Sequence, residues 1–182
     1  MFTHQIDAHL ALKLMTEEDA DYLFDIIEQD RRQLRRWMPW TDATQTVADE
    51  LKFIRFARQK FASNEMLPLT IVIDGLPVGC IDLHRIDREQ QHAEVGYWLK
   101  AKAQGHGVMT RSVNRLLTIG FDELNLHKIM LRADVDNHPS QAVAQRLGMQ
   151  QEGVLRDHVL VNNEFRSLVV FSTLENEWEA HE

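Results

Sequence analysis

Cysteine, metal-ligand spacings and long apolar runs are scarce in this sequence, and each scarcity excludes a class of protein. Cys80 is the only cysteine, so no internal disulfide framework can form, and a reducing cytosol is the expected compartment. The nine histidines are scattered without the spacing of a zinc site, so no metal is expected. No window approaches the ~18 apolar residues of a membrane span, and residues 1–15 lack the pattern of a secretory signal. We therefore expect a soluble, cytoplasmic protein without membrane contact.

Basic residues are fewer than acidic residues, 20 against 28. The formal net charge is -8, which disfavours direct binding to nucleic-acid phosphates and permits a basic ligand or a basic protein partner. The basic run RRQLRRW at 31–37 lacks the aromatic-interleaved strands of a nucleic-acid module. With 44% apolar residues and only 8 glycines and 4 prolines, the chain is expected to fold as a single domain over residues 1–182.

Hydrophobic periodicity predicts the order of the elements: a strand, two helical segments, three successive strands, a helix, a strand, a short helix and a closing hairpin. Three successive strands imply antiparallel pairing, whereas the strand-helix-strand unit over 92–135 implies a parallel crossover. The fold class is therefore α/β in the α+β sense, with a mixed, mostly antiparallel twisted sheet flanked by helices. The predicted strands are 9–15, 67–73, 78–84, 92–100 and 128–135, the hairpin is 159–172, and the helices are 16–37, 46–65, 109–124 and 137–149.

Residues 101–113, AKAQGHGVMTRSV, place Gly105 and Gly107 between a predicted strand and a predicted helix. A strand that ends at a helix N-terminus points unpaired backbone N–H groups at one spot, and glycine lets an anion come close. A Walker A loop needs Lys and Ser/Thr after its last glycine, and a dinucleotide fingerprint needs a third glycine, so Val108–Thr110 fit neither. A plain turn and a phosphate cradle of another kind remain open, and an isolated Gly-x-Gly favours the turn.

The surroundings of this loop show a family resemblance. EVGYWLKAKAQGHGVMT resembles the acetyl-CoA motif of the GNAT N-acetyltransferases, with Gln104, Gly107 and Met109 at positions of its Q/R-x-x-G-x-G/A pattern. DVDNHPSQAVAQRLGMQQEGVLRD is similar to the Asn-x-x-Ser helix and the strand that follow it in that family. RRQLRRWMPW resembles the acceptor-side segment of the RimL/RimJ-like branch, which acetylates ribosomal-protein N-termini. The likeness covers nearly the whole chain in the right order.

The resemblance implies an acetyl-CoA-dependent N-acetyltransferase that moves an acetyl group directly to a primary amine. The acceptor it implies is the N-terminal α-amine of a ribosomal protein. A small amine or amino acid as acceptor, or a non-catalytic CoA-binding sensor, are the alternatives, and the relatives suggest a homodimer. The resemblance places the pyrophosphate on loop N–H groups, the oxyanion near Leu99 and the pantetheine arm on Asn137. The implied CoA-binding residues are Leu99, Gln104, Gly105, His106, Gly107, Val108, Met109, Thr110, Asn137 and Ser140.

The proton donor implied by the resemblance is Ser140. Many GNAT enzymes carry a tyrosine where this sequence has Ala144, so that acid is missing. Ser140 lies in the NHPS turn and is similar to the serine proposed as the acid in the RimL-like branch. Its alternative role is to cap the helix that follows, a common position for serine.

The general base is open. RimL-like enzymes carry a glutamate where this sequence has Val159. Glu94, acting through water, and His84 are the candidate bases, with His158 as a further alternative. An acceptor amine that loses its proton to solvent would need no base.

Two aromatic residues complete the expected site. Trp37 and Trp40 follow the basic run, and by resemblance they border the acceptor groove. A structural role as anchors of the helix in the core is the alternative. Cys80 lies in the middle of a predicted strand without a basic neighbour, so it is assigned to the core rather than to acyl transfer.

Overall fold

The structure is a computed structural model and describes residues 3–179. Within this range, eight strands form one sheet in the order β1-β2-β3-β4-β5-β6-β8-β7, and only β5 and β6 pair in parallel. The strands are β1 Thr3–Gln5, β2 Leu10–Leu14, β3 Leu67–Ile73, β4 Leu76–Asp87, β5 His92–Leu99, β6 Lys128–Asp134, β7 Gln150–Val161 and β8 Glu164–Leu174. The mostly antiparallel mixed sheet and its one parallel crossover confirm the predicted fold class.

Helices cover both faces of the sheet. They are α1 Ala20–Leu34, α2 Val47–Ala62, α3 Val108–Thr118, α4 His138–Arg146 and α5 Glu175–Glu179. Residues of α1 and α2 pack with Cys80 and Trp98 on one face, whereas α3 packs with Ile81 and Leu83 on the other. Cys80 is buried, which confirms its assignment to the core.

The two hairpin turns and two helix ends follow the local sequence signals that predicted them. The hairpin turns at Asp74-Gly75 and Asn162-Asn163 have all four residues at positive φ, the conformation that two-residue hairpin loops of this type require. Gly148 after α4 also has a positive φ of 69°. Thr46 caps α2 through a capping box with Asp49, and it accepts the backbone N–H of Asp49 at 3.3 Å.

Several boundaries differ from the predictions. The short edge strand β1 and the helix α5 were not predicted, since three and five residues are too few to show a period. The first helical segment begins as a 3-10 turn at Glu17–Asp19 and ends at Leu34. The helix after the glycine loop changes to a π-helical turn at Ile119–Glu123. Within residues 3–179 no helix is long and apolar enough to cross a membrane.

The pairing of β5 with β6 creates the opening in which the site lies. The two strands pair over only four positions, from His92 with Lys128 to Val95 with Leu131. Both then continue without pairing to each other, β5 to Leu99 and β6 to its end. The facing edges therefore keep backbone N–H and C=O groups available to a molecule that enters between them.

Candidate active site

Two adjoining cavities lie at this opening. The loop cavity, of about 740 Å³, borders the glycine loop and the start of α3. The hairpin cavity, of about 350 Å³, borders β6 and the hairpin formed by β7 and β8. They meet at residues that line both: Trp37, Met38, Tyr97, Asn137 and Ser140. A molecule bound in the loop cavity can therefore present one end to a second molecule in the hairpin cavity.

The glycine loop forms a cradle at the N-terminus of α3. Gly105 and Gly107 have φ of +79° and +69°, and a β-carbon built at either position would meet nothing within 4 Å. Within the described residues, the backbone N–H groups of residues 105–110 have no hydrogen-bond acceptor. Unpaired N–H groups together with the positive end of the helix dipole bind anions. This arrangement is suited to the binding of a phosphate group.

Side chains of α1 hold the loop in position. Gln104 donates from Nε2 to the carbonyl oxygen of Leu99 at 2.9 Å, and its Oε1 accepts from Nε2 of Gln33 at 3.2 Å. The carboxylate of Asp30 accepts the backbone N–H of Ala101 at 2.7 Å. The side chain of Gln104 therefore links the loop to β5 and to α1.

Two arginines of the loop cavity were missed by the sequence reasoning. Arg111 lies in the first turn of α3 and pairs with Asp7, and Arg146 lies in the last turn of α4, 3.5 Å from the Thr110 hydroxyl. They stand on different helices, so no local spacing connects them. Two guanidinium groups beside an N–H cradle suit a ligand with several negative charges.

Ser140 and Tyr97 form a hydrogen-bonded pair where the cavities meet. Asn137 is the N-cap of α4 and accepts the backbone N–H of Ser140 at 3.3 Å, so Ser140 is not the capping residue. The Ser140 hydroxyl is thereby available, and its Oγ lies 2.8 Å from the phenol oxygen of Tyr97. Burial raises the pKa of Tyr97 to about 12, against the smaller opposing effect of that hydrogen bond. Tyr97 is therefore a protonated phenol at neutral pH.

The two positions at which the resemblance implies a tyrosine and a glutamate hold apolar residues, Ala144 and Val159, in different surroundings. Ala144 is fully buried and packs with Leu131 and Phe171, so nothing at position 144 reaches the cavities. Val159 lines the hairpin cavity but offers no titratable group. Tyr97 was missed because it lies on β5, and only the fold brings it to Ser140.

His84, one of the candidate bases, lies between two carboxylates. Its Nδ1 lies 2.6 Å from Oδ1 of Asp82, and its Nε2 lies 3.5 Å from Oε2 of Glu94. Burial alone would lower the pKa of His84, but the hydrogen bonds to Asp82 and Glu94 outweigh it and raise the pKa to about 9. A ring with a pKa this high is mostly protonated at neutral pH, and a protonated imidazole has no nitrogen that can accept a proton.

Glu94, the other candidate base, is bound by arginines. Arg132 donates to Oε2 from Nε at 3.0 Å and also from Nη2, and Arg85 donates to Oε1 at 3.0 Å. Burial would raise the pKa of Glu94, but the hydrogen bonds from His84 and Arg132 lower it to about 2. A carboxylate held in this way is a weak proton acceptor. His158 accepts from Arg132 at 3.0 Å through Nε2, which occupies that nitrogen as well.

The remaining expected residues divide between the site and its surroundings. Trp37 lines both cavities, whereas Trp40 lines neither and packs against Trp98 with ring centroids 6.2 Å apart. His106 is exposed between the two glycines, and its backbone carbonyl oxygen accepts a hydrogen bond from Arg111. Leu99 lines the loop cavity beside Gln104.

Comparison with known proteins identifies the family of the chain. Residues 9–150 match the family model described as "Acetyltransferase (GNAT) domain". The chain belongs to the GNAT family of N-acetyltransferases. The expected family and enzyme class are therefore confirmed.

Two relatives and one solved structure locate this GNAT enzyme within the family. It is 33% identical over 181 residues to "Putative ribosomal N-acetyltransferase YdaF" of Bacillus subtilis, and this alignment covers 98% of each chain. It is 23% identical over 172 residues to the "Ribosomal-protein-serine acetyltransferase" of Escherichia coli, covering 94% of this chain and 96% of that one. The microcin C7 self immunity acetyltransferase MccE, solved in complex with acetyl-CoA and AMP, matches with a TM-score of 0.90 and 25% identity over 93% of this chain and 94% of that chain. The RimL/RimJ-like resemblance and the GNAT fold are confirmed.

Proposed function

We propose that this GNAT enzyme transfers the acetyl group of acetyl-CoA to the N-terminal α-amine of a protein, and that the acceptor is a ribosomal protein. The names of two relatives that align along nearly the whole chain support a ribosomal acceptor. The observation that supports an α-amine is the lack of a free base in the hairpin cavity, where His84 is an imidazolium and Glu94 is bound by arginines. The single cysteine and the bacterial relatives support a cytoplasmic location.

The loop cavity is the proposed site of CoA, and its residues fit that molecule. Acetyl-CoA supplies an acetyl group activated as a thioester. The N–H cradle of residues 105–110 suits the pyrophosphate, and Arg111 and Arg146 add positive charge beside it. The unpaired edges beyond Val95 and Leu131 offer N–H and C=O groups to the amides of the pantetheine arm. Asn137 lines the cavity beside that path, and an oxyanion donor near Leu99 stays a prediction.

The proposed acceptor is an amine that loses its proton without help from the protein. An N-terminal α-amine has a pKa near 8, so roughly a quarter of it is neutral at pH 7.5. A lysine or polyamine amine has a pKa near 10.4, so only about one molecule in a thousand is neutral at that pH. A cavity in which His84 is mostly protonated and Glu94 is a weak proton acceptor therefore favours the α-amine over the polyamine.

The Ser140–Tyr97 pair supplies the proton that the leaving sulfur needs. In the proposed reaction the neutral amine nitrogen bonds to the acyl carbon and the C–S bond breaks. The extra proton of the amine passes to water. The hydroxyl of Ser140 gives its proton to the departing thiolate, and the phenol of Tyr97, 2.8 Å away, replaces that proton. Tyr97 in turn recovers its proton from solvent, so no net charge remains on the enzyme.

The pH dependence of kcat/KM tests this proposal. For a peptide with a free N-terminus, kcat/KM should rise with pH and level off at the pKa of the α-amine of that peptide, measured separately by NMR titration. Spermidine should react at less than a hundredth of the peptide rate at pH 7.5. A midpoint that stays near pH 6.5 for peptides of different amine pKa would instead indicate a protein base and contradict the proposal. Binding of CoA without thiol release from any amine would support the non-catalytic sensor.

A further inference from the structure

Cationic groups at the hairpin cavity retain hydrogen-bond donors. Arg85 has 65% of its side chain exposed and donates from Nη1 to Glu94, while its Nη2 has no acceptor within residues 3–179. Arg132 uses Nε and Nη2 for Glu94 and Nη1 for His158. Each terminal nitrogen of Arg132 therefore keeps one N–H without an acceptor in the described chain. These N–H groups can donate hydrogen bonds to a bound anion.

A β-bulge gives Arg85 its position at the cavity. The pairing of β4 with β5 shifts register between His84 and Asp87, and Arg85 lies within this irregularity with a φ of 51°. A non-glycine residue at positive φ is strained, and such residues concentrate at functional sites. Bulges redirect side chains, and here the side chain of Arg85 lines the hairpin cavity.

The carboxylates that line the same cavity are already paired. Glu94 is bound by Arg85, Arg132 and the His84 imidazolium. Asp134 accepts two bonds of 2.8 Å from Arg166. The cavity therefore offers no unpaired carboxylate to a cationic ligand, although the chain as a whole has a net charge of -8.

We propose that the protein acceptor carries an acidic side chain in the residues that directly follow its N-terminal amine, and that Arg85 and Arg132 bind its carboxylate. This inference rests on the proposed N-terminal acetyl transfer and specifies the sequence class of the acceptor. When the first residue occupies the hairpin cavity, the next residues lie at its mouth, where Arg85 is exposed. An arginine-carboxylate bond is charge-assisted and strong, whereas a lysine at the same place would meet like charge.

Three peptides and two variants test the inference. The peptides share one sequence with a free N-terminus and differ only in having glutamate, glutamine or lysine at the second and third positions. At low ionic strength, kcat/KM should fall in that order, with at least a tenfold ratio between the glutamate and lysine peptides. Arg85→Gln should reduce this ratio several-fold. The matched control Arg88→Gln should leave the ratio unchanged, because Arg88 does not line the cavity and bonds to the carbonyl oxygen of Leu124.

The outcomes separate this inference from the function on which it rests. Equal kcat/KM for the three peptides, or a ratio that Arg85→Gln does not reduce, would contradict the acidic acceptor and leave N-terminal acetylation intact. A preference for the lysine peptide would likewise overturn the acidic acceptor. Absence of acetylation with all three peptides would contradict the proposed function and the inference together.

Discussion

The phenol oxygen of Tyr97 lies 2.8 Å from the hydroxyl oxygen of Ser140, at the place where the two cavities meet. The two residues come from β5 and α4 and are 43 positions apart in the chain. Asn137, and not Ser140, caps α4. Burial raises the pKa of Tyr97, so the phenol is protonated at neutral pH. The pair is therefore suited to deliver a proton to a leaving group in the loop cavity.

Removal of either hydroxyl should slow the reaction far more than it weakens CoA binding. Ser140→Ala should lower kcat by about 10²- to 10⁴-fold, the usual contribution of a general acid. Tyr97→Phe should have a smaller effect, about tenfold, because Ser140 can still be reprotonated by water. Stopped-flow thiol release gives kcat, and calorimetric titration gives the affinity for CoA. A purely structural role would instead lower the melting temperature and leave kcat of the folded enzyme unchanged.

Gly107→Ala should weaken CoA binding by about tenfold, because its methyl group would occupy the space of the bound phosphate. The positive φ also costs an alanine at this position roughly 1–2 kcal/mol, which lowers the stability of the protein. Gly75→Ala is a matched control: its φ of +79° imposes a similar strain and its β-carbon also meets nothing within 4 Å, but it lies in the turn between β3 and β4. Both variants should lose similar stability. Equal CoA affinity of the two variants in calorimetry would argue against the cradle.

Local signals predicted the parts of the site that depend on short stretches of chain. Glycines at 105 and 107 indicated a loop before a helix, and the NHPS turn indicated a helix start with a hydroxyl beside it, although the cap is Asn137 and not Ser140. These features arise from backbone conformation and first-turn chemistry, which act within a few residues. Most strands and both hairpin turns were predicted for the same reason, whereas β1 and the part of β7 before Val159 were not.

The rest of the site depends on contacts between distant segments. The separation of β5 from β6 after four paired positions cannot be predicted from the alternation of apolar and polar residues in either strand. Glu94 was a reasonable candidate base in the sequence, but Arg132, 38 residues later, binds its carboxylate. The pKa of a side chain depends on such neighbours, so the acid-base assignment required the fold.

The imidazolium of His84 should stabilise the protein in a defined pH range. Because its folded pKa of about 9 is above the unfolded value of 6.5, the stabilisation is complete below pH 6.5 and is lost as pH rises through 9. The melting temperature of the wild type minus that of His84→Gln should therefore be largest at pH 6 and smallest near pH 9.5. A difference that remains constant between these pH values would contradict the ion pairs with Asp82 and Glu94.

Glu50 should destabilise the protein above neutral pH. Its side chain in α2 is 3% exposed, and burial raises its pKa from 4.5 to about 7. A raised carboxyl pKa means that stability is lost as pH rises from 4.5 to 7, by about 3 kcal/mol at most. Glu50→Gln should remove this loss, so urea unfolding should show a stabilised variant at pH 8 and a much smaller gain at pH 5. The exposed control Glu18→Gln should show no such pH-dependent gain.

The position of the acetyl group on a peptide that carries both a free α-amine and a lysine is the most direct test of N-terminal acetyl transfer. The peptide, with acidic residues after its first position, is incubated with the enzyme and acetyl-CoA, and fragmentation mass spectrometry locates the product. N-terminal acetyl transfer predicts one acetyl group on the α-amine, an unmodified lysine and one thiol released per acetyl group. Acetylation of the lysine with an unmodified α-amine, or no transfer from acetyl-CoA, would contradict it.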